Sequence, residues 1–286
     1  MDRRDFLKAV GIASGTLLAK TTGLKAENRA SEVEMKGVLV DTTVCMGCQS
    51  CEEACAMQNN LPDPDLDADV FDPKRKPSTT QFAVIKGYET EKGEIYVKRQ
   101  CMHCVQPACA TACLTKAMYK NPEGPVIWRD NKCMGCRYCM VACPFGIPQF
   151  EYDKPIPRIQ KCSMCWERLK EGIQPACVEN CPSGALMFGT RSELLEEARK
   201  RIYNNPDDYV HHIYGEHEVG GTGWLYLSAV PFGQIGFPTN LENTPPAEHT
   251  KNFLYSVPVV ETLMPAFLLA LYKTTKSPEE STEGED

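Results

Sequence analysis

The side chains best able to do chemistry in this chain are its cysteines, and their spacing tells more than their number. Cys45-Met46-Gly47-Cys48-Gln49-Ser50-Cys51, closed by Cys55, recurs as Cys133-Met134-Gly135-Cys136-Arg137-Tyr138-Cys139, closed by Cys143. Two looser groups accompany them: Cys101, Cys104, Cys109 and Cys113, then Cys162, Cys165, Cys177 and Cys181. All four groups end in Cys-x3-Cys, so the chain reads as a duplicated two-cluster unit. Three cysteines spaced two apart can wrap one face of a cubane iron–sulfur cluster. A fourth, about one helical turn further on, points elsewhere. The two-cluster ferredoxin run has this form, and its fourth cysteine ligates the other cluster. Cys143-Pro144 and Cys181-Pro182 keep the proline that usually follows, whereas Cys55-Ala56 and Cys113-Leu114 lack it. That departure loosens the local turn and removes no ligand.

Three competing readings are weaker. Structural zinc also uses Cys-x2-Cys pairs, but one ion needs only two pairs, and x2-x2-x3 runs are not its usual spacing. Disulfides need Cα atoms within about 7 Å and a matched geometry, which crowded Cys-x2-Cys loops satisfy poorly. A single group could also be no more than buried thiols. The sixteen cysteines are confined to positions 45–181 of a 286-residue chain, too long for a small disulfide-stapled scaffold. A formal net charge of -7 argues against nucleic acid as partner. No glycine fingerprint for a dinucleotide or P-loop is present, and no Cys-x-x-Cys-His haem site. No catalytic centre is expected on this chain.

From Gly37 to about Gly189 the chain resembles the four-cluster ferredoxin-like subunits of membrane-associated respiratory oxidoreductases. These include the iron–sulfur subunits of formate dehydrogenase and of dimethyl-sulfoxide and polysulfide reductases, and the ferredoxin-like component of periplasmic uptake hydrogenase. The stretch His217-Glu218-Val219-Gly220-Gly221-Thr222-Gly223, with Leu225-Tyr226 and Gly236-Phe237-Pro238, looks most like the hydrogenase and formate-dehydrogenase branches. The resemblance implies crossed ligand sets. One cluster would be held by Cys45, Cys48, Cys51 and Cys181, and its neighbour by Cys162, Cys165, Cys177 and Cys55. A third would use Cys101, Cys104, Cys109 and Cys143, and the fourth Cys133, Cys136, Cys139 and Cys113. It further implies four [4Fe–4S] clusters relaying electrons between a catalytic subunit, hydrogenase or molybdopterin oxidoreductase, and an integral membrane quinone-reactive or cytochrome subunit. The alternative from another class is a zinc-stabilised structural scaffold of an exported complex.

The elements that must position these cysteines are short. The fold class expected is α+β: two interleaved ferredoxin-like double-cluster units, 45–55 with 162–181 and 101–113 with 133–143, within 31–190, then a C-terminal extension over 191–250. Strands are expected at Gly37–Asp41, Ile95–Arg99, Val126–Arg129, Gln149–Tyr152 and Ala185–Phe188, each beside a cysteine group. Residues 60–80, rich in Pro and Asp and then basic, read as a surface insertion loop. Ser192 is placed as the cap of a helix over Glu193–Tyr203, ended by Asn204-Asn205-Pro206. Lys98, Arg99, Lys132, Arg137, Lys161 and Arg168 flank the motifs. A nearby cation favours the reduced cluster, but only one or two of the six are expected to matter. Trp128 and Trp166 could shield clusters or simply pack. His103, His211, His212 and His217 are read as loop or surface residues rather than ligands.

Both ends carry addresses. Residues 1–30, with Arg3-Arg4-Asp5-Phe6-Leu7 before a mildly apolar stretch, resemble a twin-arginine export signal ahead of an amphipathic-helix reading. That places the protein on the periplasmic side of the cytoplasmic membrane. Residues 252–272, within an apolar segment at 251–273, are long enough to span a bilayer. Glu261, Pro258 and Pro265 count against a span, so a docking segment against a membrane partner is favoured over a spanning anchor, with a core helix third. The acidic tail, 274–286, reads as disordered.

Overall fold

The computed structural model describes residues 34–275. The expected signal at 1–30 and nearly all of the acidic tail lie outside them. The chain is α+β, with helices and strands mixed along its length. The elements used below are β1 (Lys36–Asp41), α1 (Ser50–Asn59), β2 (Val84–Thr90), β3 (Gly93–Arg99), α2 (Ala108–Thr111), β4 (Met118–Lys120), β5 (Val126–Trp128), α3 (Tyr138–Val141), β6 (Gln149–Phe150), β7 (Ile159–Gln160), α4 (Trp166–Lys170), α5 (Ala176–Glu179), β8 (Leu186–Thr190), α6 (Arg191–Asn204), β9 (Trp224–Leu227) and α7 (Pro246–Thr275).

A three-stranded sheet in the order β8-β1-β9 backs the cysteine-bearing half. β1 runs antiparallel to β8 and parallel to β9, with Val38 opposite both Phe188 and Trp224. The run Val38-Leu39-Val40 is buried on both sides because successive side chains point to opposite faces. Leu39 joins Leu225, Leu227, Leu194, Leu195 and Ala198 under α6. Val38 and Val40 join Trp224, Tyr226, Cys51 and Cys177 on the other face. The sheet therefore separates a plain helix layer from the thiol layer.

Helix α6 begins two residues before the sequence reading. Thr190, not Ser192, is the N-cap, and it forms a reciprocal box with Glu193. The Glu193 N–H donates to the Thr190 hydroxyl and the Thr190 N–H to the Glu193 carboxylate. Ser192 sits inside the first turn. Arg201, near the other end, reaches buried Asp41 on β1 at 2.9 Å and Glu197 at 2.8 Å, tying the helix to the sheet.

Three hairpins, β2–β3, β4–β5 and β6–β7, carry the remaining strands. β6 is shorter than its expected range, and β2, β4, β7 and β9 were not foreseen. The expected insertion loop lies between α1 and β2 and has no helix or strand. It is not wholly a surface feature, because Arg75 reaches inward to the buried carboxylate of Glu52 at 2.9 Å. The ordinary-core reading of the apolar segment fails. α7 is a single 30-residue helix with no residue buried against the rest of the chain. At 1.5 Å per residue it is about 45 Å long, and by length and composition it is able to cross a membrane.

Candidate metal centre

Each Cys-x2-Cys loop turns on one left-handed residue placed just before its second cysteine. These are Gly47 (φ 70°), His103 (φ 48°), Gly135 (φ 73°) and Met164 (φ 57°). Glycine takes this conformation without strain, which is the physical reason for Met-Gly in both copies of the repeat. Gln49 (φ 59°) and Arg137 (φ 60°) repeat the turn one residue beyond. The duplication is thus one of backbone as well as sequence.

Histidine bears that strain at position 103, and its surroundings hold it there. His103 is fully buried, and its Nδ1 accepts the Val126 N–H at 2.8 Å. Burial, reinforced by Lys161, Lys120 and Lys98, holds its proton affinity well below the usual histidine range. A neutral ring accepting at Nδ1 carries its proton at Nε2, so His103 serves the loop. His212 and His217 pair with Glu218 and Glu216 in the surface region, and His211 with the Pro206 carbonyl.

The sixteen cysteines are free thiols. Cys45, Cys48, Cys51 and Cys181 line one small cavity, with Lys98 in its wall. Cys113, Cys133, Cys136 and Cys139 line another, with Trp128 and Met118. Cys101, Cys104, Cys109 and Cys143 are mutual electrostatic neighbours, as are Cys55, Cys162, Cys165 and Cys177. The last cysteine of each run thus sits among the cysteines of another group. Among the described residues, no three His, Cys, Asp or Glu side chains converge tightly enough to hold a single metal ion. Tetrahedral zinc would need such convergence, with metal–sulfur distances of about 2.3 Å.

Burial by itself disfavours anionic sulfur in these spaces. Burial pushes the Cys55 and Cys109 thiols up to about 12 and Cys139 to about 11, so as bare thiols they hold their protons. Binding to a cationic metal centre removes those protons outright. Donors are already aimed at sulfur: the Met118 N–H at Cys113 and the Met164 N–H at Cys162, both 3.3 Å, and the Asn59 amide at Cys55, 3.6 Å. At Cys113 burial raises the thiol, but the donors from Met118, Thr115 and Ala117 outweigh it. Trp128, in the wall of the outer cavity, has a buried indole N–H with no protein acceptor.

Of the six flanking cations, Lys98 and Lys161 are buried. Lys161 donates to the carbonyls of Val126 and Cys162. Arg99 donates to the Gly236 carbonyl and stacks on Phe237, Arg168 pairs with Glu179, and Lys132 and Arg137 are exposed. Lys98 is different. It forms no ion pair with a carboxylate among the described residues, although Glu52 feels its charge, and the groups acting most strongly on it are Cys177, Cys51, Cys162 and Cys55. Burial works against its ammonium, yet these sulfurs more than offset that and raise its proton affinity above the ordinary lysine range. A buried cation without an anion is strongly destabilising, so Lys98 fits a site whose sulfurs are bound to metal as thiolates.

Residues 93–191 match the 4Fe-4S dicluster domain. The chain is 34% identical over 326 residues to the hydrogenase-2 operon protein HybA of Escherichia coli O157:H7, covering 100% of this chain and 99% of that protein. It is 33% identical over 235 residues to the nitrate-inducible formate dehydrogenase iron–sulfur subunit of Escherichia coli K12, covering 79% of this chain and 76% of that one. This chain is an iron–sulfur electron-transfer subunit of the oxidoreductase family. The iron–sulfur subunit binds [4Fe–4S] clusters through its cysteines. The buried thiols, the N–H donors aimed at sulfur, the orphaned indole N–H and the unpaired Lys98 are what such a cluster requires. The cysteines were legible from spacing alone. The role of Arg75, which holds the buried Glu52 carboxylate beside the first loop, was not, because it comes from outside the motif.

Proposed function

We propose that this subunit relays single electrons through four [4Fe–4S] clusters, held by the crossed sets named from the resemblance. One set is Cys45, Cys48, Cys51 and Cys181, and the next Cys55, Cys162, Cys165 and Cys177. The third is Cys101, Cys104, Cys109 and Cys143, and the outermost Cys113, Cys133, Cys136 and Cys139. These form two interleaved double-cluster units. The observation that carries the reading is the sharing of one cavity by Cys181 with Cys45, Cys48 and Cys51, and of a second by Cys113 with Cys133, Cys136 and Cys139. The clusters supply one-electron redox chemistry. The protein fixes their positions, excludes water and tunes potential through charge and N–H···S bonds.

The partners we propose are a catalytic subunit at one end and a membrane quinone-reactive or cytochrome subunit at the other, on the periplasmic side of the cytoplasmic membrane. Support comes from relatives named for a hydrogenase-2 operon and for formate dehydrogenase, and from α7, whose apolar side chains are exposed all round. Segment 252–272 would then dock against, or pass beside, the membrane subunit. The twin-arginine pattern at Arg3-Arg4 supports export.

Iron and sulfide analysis of anaerobically purified full-length protein tests the cluster count. About sixteen irons per chain are expected, at four per cubane. A broad brown absorption should bleach with dithionite. Colourless protein holding zinc would replace this reading with the structural-scaffold one. Carbonate extraction of native membranes tests α7: a docked subunit is released, and a spanning one stays.

A further inference from the structure

We propose that Lys98 is the shared counter-cation of two neighbouring clusters and sets their potentials apart from the other two. The clusters are those assigned to Cys45, Cys48, Cys51 and Cys181 and to Cys55, Cys162, Cys165 and Cys177, so the inference rests on the wiring proposed above. Lys98 lies on β3, is 2% exposed, and forms part of the wall of the first cavity. The sulfurs that act most strongly on its charge belong to both sets: Cys51 of one, and Cys55, Cys162 and Cys177 of the other. The third set, Cys101, Cys104, Cys109 and Cys143, has different lysines beside it, Lys161 near Cys109 and Lys120 near Cys101 and Cys104. Those two are occupied by backbone carbonyls, of Val126 and Cys162 for Lys161 and of His103 and Gly124 for Lys120. Lys98 accepts no such sharing. Among the described residues its ammonium has one hydrogen-bond partner, the Gln100 amide oxygen, at 3.2 Å.

The ammonium is also held in place. Gln100 is fixed by donating its amide N–H to the Tyr226 hydroxyl at 2.7 Å, and Tyr226 in turn donates to the Lys98 carbonyl at 2.9 Å. The Trp224 ring closes the far side, 4.7 Å from Nζ, with its face toward the cation. A fixed positive charge in a dry interior acts with little screening on whatever gains charge beside it. Each cluster becomes more negative by one electron on reduction, without bond changes, so Lys98 favours the reduced form of both neighbours. It shares a cavity wall with all four sulfurs of the Cys45, Cys48, Cys51 and Cys181 set, and its effect there is larger.

The test is a potentiometric titration of the full-length, cluster-loaded chain followed by electron paramagnetic resonance. In Lys98→Met two cluster signals should move to lower potential, one more than the other, while the remaining two stay put. Lys98→Arg, which keeps the charge, should leave all four near the parent values. Gln100→Glu adds a carboxylate beside Nζ without removing the lysine, and should lower the same two signals by less. That variant decides the matter if Lys98→Met loads no iron. Four unmoved signals in Gln100→Glu, or four that move alike, would overturn the role of Lys98. An iron content far below four cubanes in the parent protein would instead overturn the wiring.

Discussion

The runs Cys45–Cys55 and Cys133–Cys143 are near-copies in sequence and in backbone turns, yet their surroundings share little. The first leads into a ten-residue helix, α1, and the second into α3, which has four residues. Position 52 in the first run is a buried glutamate, held by Arg75, Gln81 and the Ile85 N–H. Its counterpart in the second is Met140. Lys98 forms part of the wall of the first cavity, whereas Leu114, Tyr138 and Val141 stand exposed around the second; Met46 and Met134 are exposed alike. The motif therefore specifies how sulfur is presented. What the bound centre experiences, in charge, solvent and access, comes from residues the motif does not contain.

The largest expected effect tests whether each run borrows a sulfur from a distant segment, as the crossed wiring requires. Cys181→Ala and Cys48→Ala should each remove about four irons and delete the same paramagnetic signal. Cys113→Ala and Cys136→Ala should delete a second, different one. If Cys181→Ala instead matched Cys165→Ala, the runs would be self-contained and the wiring wrong.

Next in size is the polar anchor that only the first run has. Arg75→Met leaves Glu52 buried without its cation, and breaking such a pair costs about 3–5 kcal/mol. A fall in the thermal midpoint of cluster loss, with a longer stretch of 60–83 open to protease, is the expected outcome. Met140→Leu in the second run, a swap that roughly conserves volume, should cost less than about 1.5 kcal/mol. Adding Glu52→Gln to Arg75→Met should restore part of the loss. Equal sensitivity of the two runs would mean the anchor is not what distinguishes them.

How much of this was legible beforehand follows from which interactions are local. The Cys-x2-Cys loops, β1 and most of α6 are short-range features, and sequence placed each to within a few residues. The cap of α6 was misplaced because Ser192 and Thr190 are both good caps. The choice fell to Thr190 because Glu193 stands three residues beyond it and closes the box. β9 was missed because its partner β1 lies far back in the chain, and Trp224-Leu225-Tyr226-Leu227 shows no alternation when both faces are buried. The second role of residues 60–80 was hidden for a similar reason. Their composition is that of a loop, and nothing local marks Arg75 as the one basic residue that turns inward. At the site, cysteine identity was written in the spacing. The ranking of six nearby cations was not, because burial of Lys98 depends on Trp224 and Tyr226 from the distant strand.

The smallest and cleanest contrast is between the two glycines that turn the paired loops. Gly47 and Gly135 have nearly the same left-handed φ, 70° and 73°, so alanine at either position incurs the same backbone strain, about 1–2 kcal/mol. Only the surroundings differ. A Cβ on Gly47 would lie 2.6 Å from the Tyr96 ring, close to the ring's attached end as well as its edge, so the whole side chain must swing away. Tyr96 would then leave its edge contact with Phe71 and its hydrogen bond to Glu94. A Cβ on Gly135 meets nothing nearer than Phe150 at 4.0 Å. Gly47→Ala should therefore cost about 1–3 kcal/mol more than Gly135→Ala, read as a larger drop in the midpoint of cluster loss on heating. Tyr96→Ala in the Gly47→Ala background should bring the two loops back to parity. If the two alanines proved equal from the start, backbone strain alone would govern both loops, and packing over the first would contribute nothing to holding it.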